Sequence, residues 1–190
     1  DPGSGDGSRE IAEAAEGVTL FAEPDLGQGD AVARGMLRAS GDIVAWLNSD
    51  DEYADEGVFA AVAETFASPE QPDIVYGRGV YIGLEGEELR PANVIGVPAE
   101  LDWRLARQVG ILQPATFISK KLIDRIGPVS RDYHFCMDYE FWIRAQRAGA
   151  RFQYLDRQLA RARYYPENKT LGLRGESLWE VISMLKAKYG

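Results

Sequence analysis

The stretch from residue 41 to residue 53 sets the organisation of this chain, and it reads Gly41-Asp42-Ile43-Val44-Ala45-Trp46-Leu47-Asn48-Ser49-Asp50-Asp51-Glu52-Tyr53. Its apolar run, 43–47, is too short for a typical helix, so it predicts a buried strand of a parallel sheet. Ligands of open α/β sheets bind beyond the carboxyl ends of the strands, where Asp50 and Asp51 lie. Adjacent carboxylates repel each other, and a divalent cation carrying phosphate oxygens would relieve that repulsion. The alternative is an Asp-rich turn without a ligand, because Asn, Ser and Asp are common turn residues.

The composition is that of a globular, acidic chain. Its 190 residues are 45% hydrophobic and 27% charged, enough for one domain with its own core, and the net charge is -9. That charge argues against a nucleic-acid partner, although a local arginine cluster or a metal can still hold a small anion. Cys136 is the only cysteine, which excludes an internal disulfide framework and fits a reducing compartment. No membrane span or signal peptide is recognised, so we expect a cytoplasmic location, with peripheral attachment to a membrane left open.

Helix and strand patterns alternate along the chain, and residues 1–190 are predicted to form a single domain. The predicted helices cover 8–15, 31–39, 56–67, 101–109, 120–126, a segment from residue 138, and a final helix within 171–190. The predicted strands cover 18–21, 43–47, 72–77, 113–118 and 152–155, with a hairpin between 80–82 and the region near residue 89. This alternation predicts an α/β fold with a mostly parallel sheet flanked by helices.

Three further segments carry residues suited to a ligand site. The loop over 1–8 is rich in Gly and Asp and precedes a helix, a combination that can hold a phosphate but is also typical of a linker. The loop over 23–30 follows a predicted strand, and Asp30 is predicted to cap the next helix. Asp138 stands at a helix start, where it either caps the helix or directs a carboxylate into a cleft.

Four segments together resemble the family 2 glycosyltransferases of GT-A fold, from residue 1 to about residue 170. Residues 1–8, DPGSGDGS, are similar to the family's D-x-G-S-x-D-G-S/T loop. Residues 23–31, EPDLGQGDA, and 41–51, GDIVAWLNSDD, resemble the E-P-D-x-G-Q-x-D-A and L-N-S-D-D forms of a subset of the family. Residues 137–144, MDYEFWIR, resemble its (E/M)-D-x-(D/E)-x-(W/L)-x-R helix. The resemblance implies a GT-A sheet, a Rossmann-like fold of nucleotide-diphospho-sugar transferases.

The resemblance also implies roles for individual residues. The activity would be transfer of a sugar from a nucleoside-diphosphate sugar to a hydroxyl of a glycan, a polysaccharide or a lipid-linked sugar. Metal binding by Asp50 and Asp51, with Mg²⁺ or Mn²⁺, and general-base catalysis by Asp138 in an inverting reaction are implied. Arg144 is either a buried partner of a carboxylate or a ligand contact. The residues implied in donor binding are Asp1, Asp25, Asp30, Asn48 and Asp50.

The chain departs from the family pattern in three places. Asn48 stands where many members carry the first of three acids, and Tyr165 stands where many carry a histidine that helps to bind metal and diphosphate. Metal dependence is therefore open, and His134, the only histidine, is interpreted as a loop or acceptor-side residue. The strand, helix and strand that open family members are absent before Asp1, so the domain is predicted to be incomplete at its amino terminus.

Two consequences of these departures are left open. We expect either upstream chain or a partner, such as a second copy in a homo-oligomer, to cover the sheet edge that the missing start would expose. A non-catalytic nucleotide-sugar-binding domain of the same fold and a nucleotidyltransferase are the alternative functions.

Overall fold

A computed structural model describes residues 3–94, 110–165 and 174–189, so Asp1 and the predicted helix over 101–109 lie outside the described residues. The helices within these ranges are α1 (Ser8–Ala14), α2 (Gln28–Arg38), α3 (Val58–Phe66), α4 (Lys120–Ile126), α5 (Met137–Arg147) and α6 (Arg174–Tyr189). The strands are β1 (Ile43–Val44), β2 (Glu52–Tyr53), β3 (Ile74–Ile82), β4 (Glu88–Pro91), β5 (Thr116–Ser119) and β6 (Phe152–Arg163), and a 3₁₀ turn, Gln113–Ala115, leads into β5. Of the helices in these ranges, none is long and apolar enough to cross a membrane.

The strands form one mixed sheet in the order β1-β5-β3-β6-β2, with β4 paired to β3 outside this path. β3 and β6 are parallel, whereas the pairs β1–β5, β3–β5, β2–β6 and β3–β4 are antiparallel. The α/β class is confirmed, but within the described residues the sheet is mixed rather than mostly parallel. The physical reason is that β5 lies between β1 and β3 and runs opposite to both, a direction that the alternation of helices and strands does not encode.

Several strand bounds differ from the predicted ones: β1 and β5 are shorter, with residues 113–115 in the 3₁₀ turn, and β6 is longer. Two differences are larger. The predicted strand over 72–77 and the first arm of the hairpin are one nine-residue strand, β3, and the hairpin itself is formed with β4. The predicted strand over 18–21 is not formed, because a strand needs a paired backbone and no neighbouring strand of the described residues lies beside it. Val18 and Phe21 are accordingly exposed.

Both faces of the sheet are covered by helices. On one face, a cluster that includes Leu122 of α4 and Trp142 of α5 packs over Ile118 of β5. On the other face, Val62 of α3 belongs to the cluster that contains Phe117. Successive side chains of a strand point to opposite faces, so the neighbours Phe117 and Ile118 serve different clusters. Each fully buried side chain of this size contributes roughly 1.5–3 kcal/mol to folding.

Glycine is required where β3 approaches β6. The pairing register of these strands shifts between Gly77 and Gly79, as at a β-bulge. A Cβ atom at Gly77 would lie 2.6 Å from Leu159 Cδ1 and 2.8 Å from the carbonyl oxygen of Arg157. This close approach lets β6 run alongside β3 as far as Arg163, which lies at the site described next.

The final helix, α6, covers the beginning of α5. Met184 of α6 is 1% exposed and packs against Cys136, Tyr139 and Ile143. The start of α5 is therefore held between the sheet and α6.

Candidate active site

A cleft of about 750 Å³ opens beyond the carboxyl end of β1, beside the first turn of α5. Its walls come from the segment 46–51, the 3₁₀ turn before β5, the end of β6, the start of α5 and one side of α6. Asn48, Asp50, Asp51 and Asp138, all predicted from the sequence, line this one cleft. Its volume lies within the range of roughly 300–1,000 Å³ that is typical of small-molecule sites.

Asn48 is the centre of an amide network in the wall of the cleft. Its Oδ1 accepts a hydrogen bond from Gln28 Nε2 at 3.0 Å. Its Nδ2 donates to Asp51 Oδ2 at 3.0 Å and to Gln113 Oε1 at 3.2 Å. Gln113 Nε2 donates in turn to the carbonyl of Trp46 at 2.7 Å. Asn48 therefore orients Asp51 by donation, which a carboxylate at this position could not do because it has no hydrogen to donate.

Asp51 ties the segment after β1 to the end of β6. Its second oxygen, Oδ1, accepts the backbone N–H of Arg163 at 3.0 Å. Burial raises the pKa of Asp51, and the Asp50 carboxylate raises it too, whereas the hydrogen bonds from Asn48 and Arg163 act in the lowering direction. Asp51 thus holds a proton more tightly than an exposed aspartate does.

Asp50 is oriented by a tyrosine. The hydroxyl of Tyr165 donates to Asp50 Oδ2 at 3.0 Å, and both residues line the cleft. Tyr165 is the residue that stands where the family pattern has a histidine. The structure therefore brings this position next to the predicted metal ligand, with a phenol in place of an imidazole.

Asp138 is the second residue of α5, and Cys136 is the cap of that helix. The Asp138 side chain lines the cleft, and its Oδ1 accepts the N–H of Tyr139 at 2.7 Å. Asp138 therefore combines both features offered by the sequence, since it lines the cleft and also accepts an N–H of the first helical turn; its role as a base stays a prediction.

Glu180 of α6 is a residue that the sequence reasoning missed. Its carboxylate accepts the backbone N–H groups of His134 at 2.8 Å, Phe135 at 2.7 Å and Cys136 at 2.8 Å. Burial raises the pKa of Glu180, but these hydrogen bonds outweigh burial and lower it. The only signal in the sequence that could have identified Glu180 was its position one turn before Met184, as a charged residue on an otherwise apolar, inward-facing side of the helix.

An aromatic cluster was missed as well. Tyr81 and Tyr164 line the cleft with ring centroids 5.3 Å apart. The guanidinium of Arg90 lies 4.4 Å from the Tyr81 ring centroid and 5.0 Å from that of Tyr164. The three residues come from β3, β4 and the segment after β6, so no local pattern connects them.

Asp25 and Asp30 lie outside the lining of this cleft. Asp25 Oδ1 accepts the N–H of Gly27 at 2.9 Å. Asp30 is 2% exposed, accepts the N–H of Leu26 at 3.2 Å and pairs with Arg34 at 2.6 Å. Both acids therefore stabilise the loop and first turn that begin α2.

That helix start connects the two acids to the cleft indirectly, because Gln28, the first residue of α2, reaches Asn48. Gly27 is the cap of α2, so the predicted cap at Asp30 is wrong; Asp30 lies inside the first turn. Asp1 lies outside the described residues. The donor-binding roles of all three aspartates stay predictions.

Arg144 is the half-buried partner of a buried carboxylate, Glu140. Its Nε donates to Glu140 Oε1 at 3.0 Å, and its Nη2 donates to the carbonyl of Pro128 at 2.7 Å. Glu140 is fully buried and also accepts from Lys188 Nζ of α6 at 3.0 Å. Burial raises the pKa of Glu140, but the Arg144 and Lys188 contacts outweigh it and lower the pKa. Arg144 therefore joins α5 to the segment after α4 and does not line the cleft.

The cleft offers oxygen ligands that suit Mg²⁺ or Mn²⁺. Asp50 and Asp51 are adjacent carboxylates, the ligand type that hard cations prefer. Within the part of the chain that the structure describes, no group of three or more His, Cys, Asp or Glu side chains could hold a metal, and His134 in the cleft belongs to no such group. Mg²⁺ commonly binds through one or two carboxylates together with substrate phosphates and water. The donor set therefore fits a cation completed by a diphosphate.

Helices on both faces of a mixed sheet, with acids beyond the end of β1, are the arrangement of the GT-A fold class. Solved structures share this fold over nearly the whole chain. S. aureus TarS in complex with UDP-GlcNAc has a TM-score of 0.67 at 17% identity, covering 98% of this chain and 55% of that chain. The mannosyltransferase PcManGT from Pyrobaculum calidifontis, in complex with GDP-Man and Mn²⁺, has a TM-score of 0.62 at 16% identity, covering 100% and 54%. At these identities the likeness shows the fold alone.

The chain belongs to glycosyl transferase family 2, whose sequence profile matches residues 1–127. An uncharacterized glycosyltransferase of Mycobacterium tuberculosis (strain H37Rv) is 30% identical over 126 residues, which are 65% of this chain and 45% of the relative. A PGL/p-HBAD biosynthesis glycosyltransferase of Mycobacterium bovis (strain BCG) is 30% identical over 150 residues, 76% of this chain and 55% of the relative. The chain thus spans about half the length of these relatives. The family resemblance is confirmed, and the subset defined by the 23–31 and 41–51 motifs stays a prediction.

Proposed function

We propose that this chain carries the catalytic site of an inverting glycosyltransferase, which moves a sugar from a nucleoside-diphosphate sugar to a hydroxyl acceptor. The observation that carries the proposal is that the segment 48–51 and Asp138, from distant parts of the chain, line one cleft. The two groups suit the two ends of a displacement at the anomeric carbon. Acids near the leaving diphosphate and a carboxylate near the attacking hydroxyl have different tasks and need to be kept apart.

On the donor side, Asp50 and Asp51 would hold Mg²⁺ or Mn²⁺ against the diphosphate. When bound, the cation would neutralise the negative charge that develops on the leaving group. Asn48 and Tyr165 fix the carboxylates from the protein side, through the hydrogen bonds described above. Support for this class of ligand comes from the fold relatives solved with UDP-GlcNAc or with GDP-Man and Mn²⁺.

On the acceptor side, Asp138 would act as the general base. The acceptor hydroxyl forms a new bond to the anomeric carbon while the bond from that carbon to the diphosphate oxygen breaks. The hydroxyl proton passes to Asp138, and attack opposite the leaving group inverts the configuration. A positioned base of this kind typically contributes 10²–10⁴-fold to the rate.

Asp25 and Asp30 would contribute to donor binding through α2. Both fix the start of that helix, and Gln28 extends from it to Asn48. A second copy of the chain over β1, which is an edge strand among the described residues, also belongs to the proposal, and light scattering of the purified protein measures it. The acceptor would be a glycan, a polysaccharide or a lipid-linked sugar.

Calorimetric titration with UDP, GDP and dTDP, each with and without Mn²⁺, tests the donor site. D50A should abolish metal-dependent binding, while D124N, which removes an exposed carboxylate on α4, should leave it unchanged. D138N should bind the same nucleotide but turn over the sugar donor about 10²–10⁴-fold more slowly. Binding by the wild type without turnover would favour a non-catalytic binding domain. Release of pyrophosphate in place of a nucleoside diphosphate would favour a nucleotidyltransferase.

A further inference from the structure

The loop that leads to Asp138 is held by a carboxylate from the other end of the described chain. We propose that Glu180 is a positioning residue for Asp138 in catalysis, an inference that rests on the proposed function of Asp138 as the general base. Glu180 would keep the Asp138 side chain directed at the acceptor without touching substrate itself.

The contact is dense and short. Three consecutive backbone N–H groups, from residues 134 to 136, all donate to the Glu180 carboxylate at 2.7–2.8 Å. Hydrogen bonds to an ionised acceptor are roughly twice as strong as those between neutral groups. The last of these donors belongs to Cys136, the cap of α5, which lies two residues before Asp138.

The helix that supplies Glu180 is itself anchored at each of the two turns that follow this residue. Met184 packs one turn later against the Cys136 and Tyr139 side chains. Another turn on, Lys188 Nζ donates to the buried Glu140 at 3.0 Å. Because α6 contacts α5 or its cap at three successive turns, a displacement of Glu180 relative to α5 is opposed by both packing and charge.

These bonds bear on Asp138 through competition for donors. The first N–H groups of a helix lack partners within the helix and attract nearby side-chain acceptors, aspartate in particular. Asp138 already accepts one such N–H, from Tyr139. Without Glu180, the N–H groups of residues 134–136 would lose their acceptor and would compete for the Asp138 carboxylate on the same segment. Glu180 therefore leaves Asp138 to the cleft.

The electrostatics agree with this proximity. Burial raises the pKa of the Cys136 thiol, and the charges of both Glu180 and Asp138 raise it further. The Cys136 sulfur thus lies close to both carboxylates, so Glu180 and Asp138 belong to the same small part of the structure.

Variants of the full chain test the proposal through hydrolysis of UDP-GlcNAc or GDP-Man, whichever the wild type turns over. E180Q should lower kcat about 10²-fold, the size expected for misplacing a catalytic group, while KM for the donor stays within about twofold, since the described contacts of Glu180 go to residues 134–136 and not to Asp50 or Asp51. E176Q, which removes an exposed charge one turn earlier on α6, should match the wild type. The double variant E180Q/D138N should be no slower than D138N, because Glu180 acts through Asp138.

The three hydrogen bonds from residues 134–136 to Glu180, called the clamp below, can be tested independently of catalysis by amide hydrogen exchange. Amide exchange at residues 134–136 should accelerate in E180Q and not in E176Q. Unchanged exchange in E180Q would show that the clamp does not protect these amides. Accelerated exchange with an unchanged kcat would overturn the positioning role. The positioning role would also be overturned if the reductions in kcat of the two single variants multiplied in the double variant. If the wild type hydrolyses neither donor and binds none of UDP, GDP and dTDP with Mn²⁺ while the exchange result holds, the proposed function has failed and the hydrogen bonds to Glu180 have not. If E180Q does not fold, E180D, which withdraws the carboxylate by one methylene, is tested with the same expectations.

Discussion

Replacing Asn48 by aspartate would restore the first acid of the family pattern, and the structure predicts that the substitution is destabilising in the absence of metal. In the wild type, Asn48 Nδ2 donates to Asp51 Oδ2 at 3.0 Å. In N48D an oxygen takes the place of this nitrogen, so a hydrogen bond becomes a contact between two carboxylates. The bond to Gln113 is lost from the same position, while the acceptor for Gln28 is retained.

The size of the effect follows from two limits. Two unit charges 3.0 Å apart repel by about 5 kcal/mol at an effective dielectric constant of about 20. The pair can instead take up a proton, which for an aspartate of ordinary pKa about 3.9 costs about 4 kcal/mol at pH 7 and about 1.5 kcal/mol at pH 5, and less for Asp51 because burial raises its pKa. The smaller cost prevails, so N48D should lose at most about 4 kcal/mol at pH 7 and at most about 2 kcal/mol at pH 5.

Urea denaturation of N48D and the wild type at pH 7 and pH 5, each with EDTA or with Mn²⁺, measures this effect. At pH 7 the loss corresponds to a decrease of roughly 10 °C in Tm. Mn²⁺ should restore N48D by more than it stabilises the wild type, because a cation relieves the repulsion between the carboxylates. N48A is the control without an added charge: it loses the bonds to Asp51 and Gln113 and also the bond from Gln28, so its loss should change less between the two pH values.

An N48D variant as stable as the wild type at pH 7 in EDTA would refute the reasoning, since it would mean that residue 48 does not face Asp51. A loss that is equal at pH 7 and pH 5 would refute the electrostatic explanation and leave only the missing hydrogen bonds.

Three further predictions concern the scaffold. R144M should lose about 3–5 kcal/mol in urea denaturation, because it leaves the buried Glu140 carboxylate with one of its two cationic partners; a loss below about 1 kcal/mol would contradict the buried pair. The pKa of Glu140 is lowered in the folded state, so its ionised carboxylate should stabilise the protein above pH 4.5, and this stabilisation should be lost as the pH falls below 4.5. R144M should flatten this pH dependence of stability in acid titrations followed by circular dichroism. G77A should lower the free energy of unfolding by about 1–3 kcal/mol because its Cβ would meet the backbone of β6. G35A, in open space within α2, should raise the free energy of unfolding by about 0.4–1 kcal/mol. Equal changes in Tm for the two variants would exclude the close approach of β3 and β6 at Gly77.

Local patterns were sufficient for elements whose determinants lie within a few residues. The helix over 120–126 begins and ends as predicted, because Ser119 caps it and Gly127 terminates it with a positive φ of 82°. The hairpin of β3 and β4 was likewise predicted, since Gly86 supplies the turn with φ 87°. The acids after β1 and Asp138 were identified because the family motifs preserve both their residue types and their order.

The remaining features depend on pairings across the sequence. The direction of β5 is decided by its neighbours on both sides, and the pairing of β1 stops at Val44 although the apolar run continues to residue 47. In the sequence, Asn48 is only an amide at a position where many family members carry an acid. Its contacts with Gln28 and Gln113 in the structure show that its amide is oriented to donate to Asp51. Glu180 acts on a loop about 45 residues away, a separation that no periodicity records.

A pair of stacked indoles, one of them in the cleft wall, gives the protein an intrinsic optical signal. Trp46 lines the cleft and lies 6.1 Å from Trp142, with the ring planes inclined by 15°. Trp142 belongs to α5, the helix that presents Asp138. Any molecule that enters the cleft changes the polarity around Trp46, and any shift of α5 changes the coupling between the two rings, so emission intensity and wavelength report both events without a label. With W103F and W179F removing the other two tryptophans of the chain, stopped-flow fluorescence would follow nucleotide arrival on the timescale of turnover.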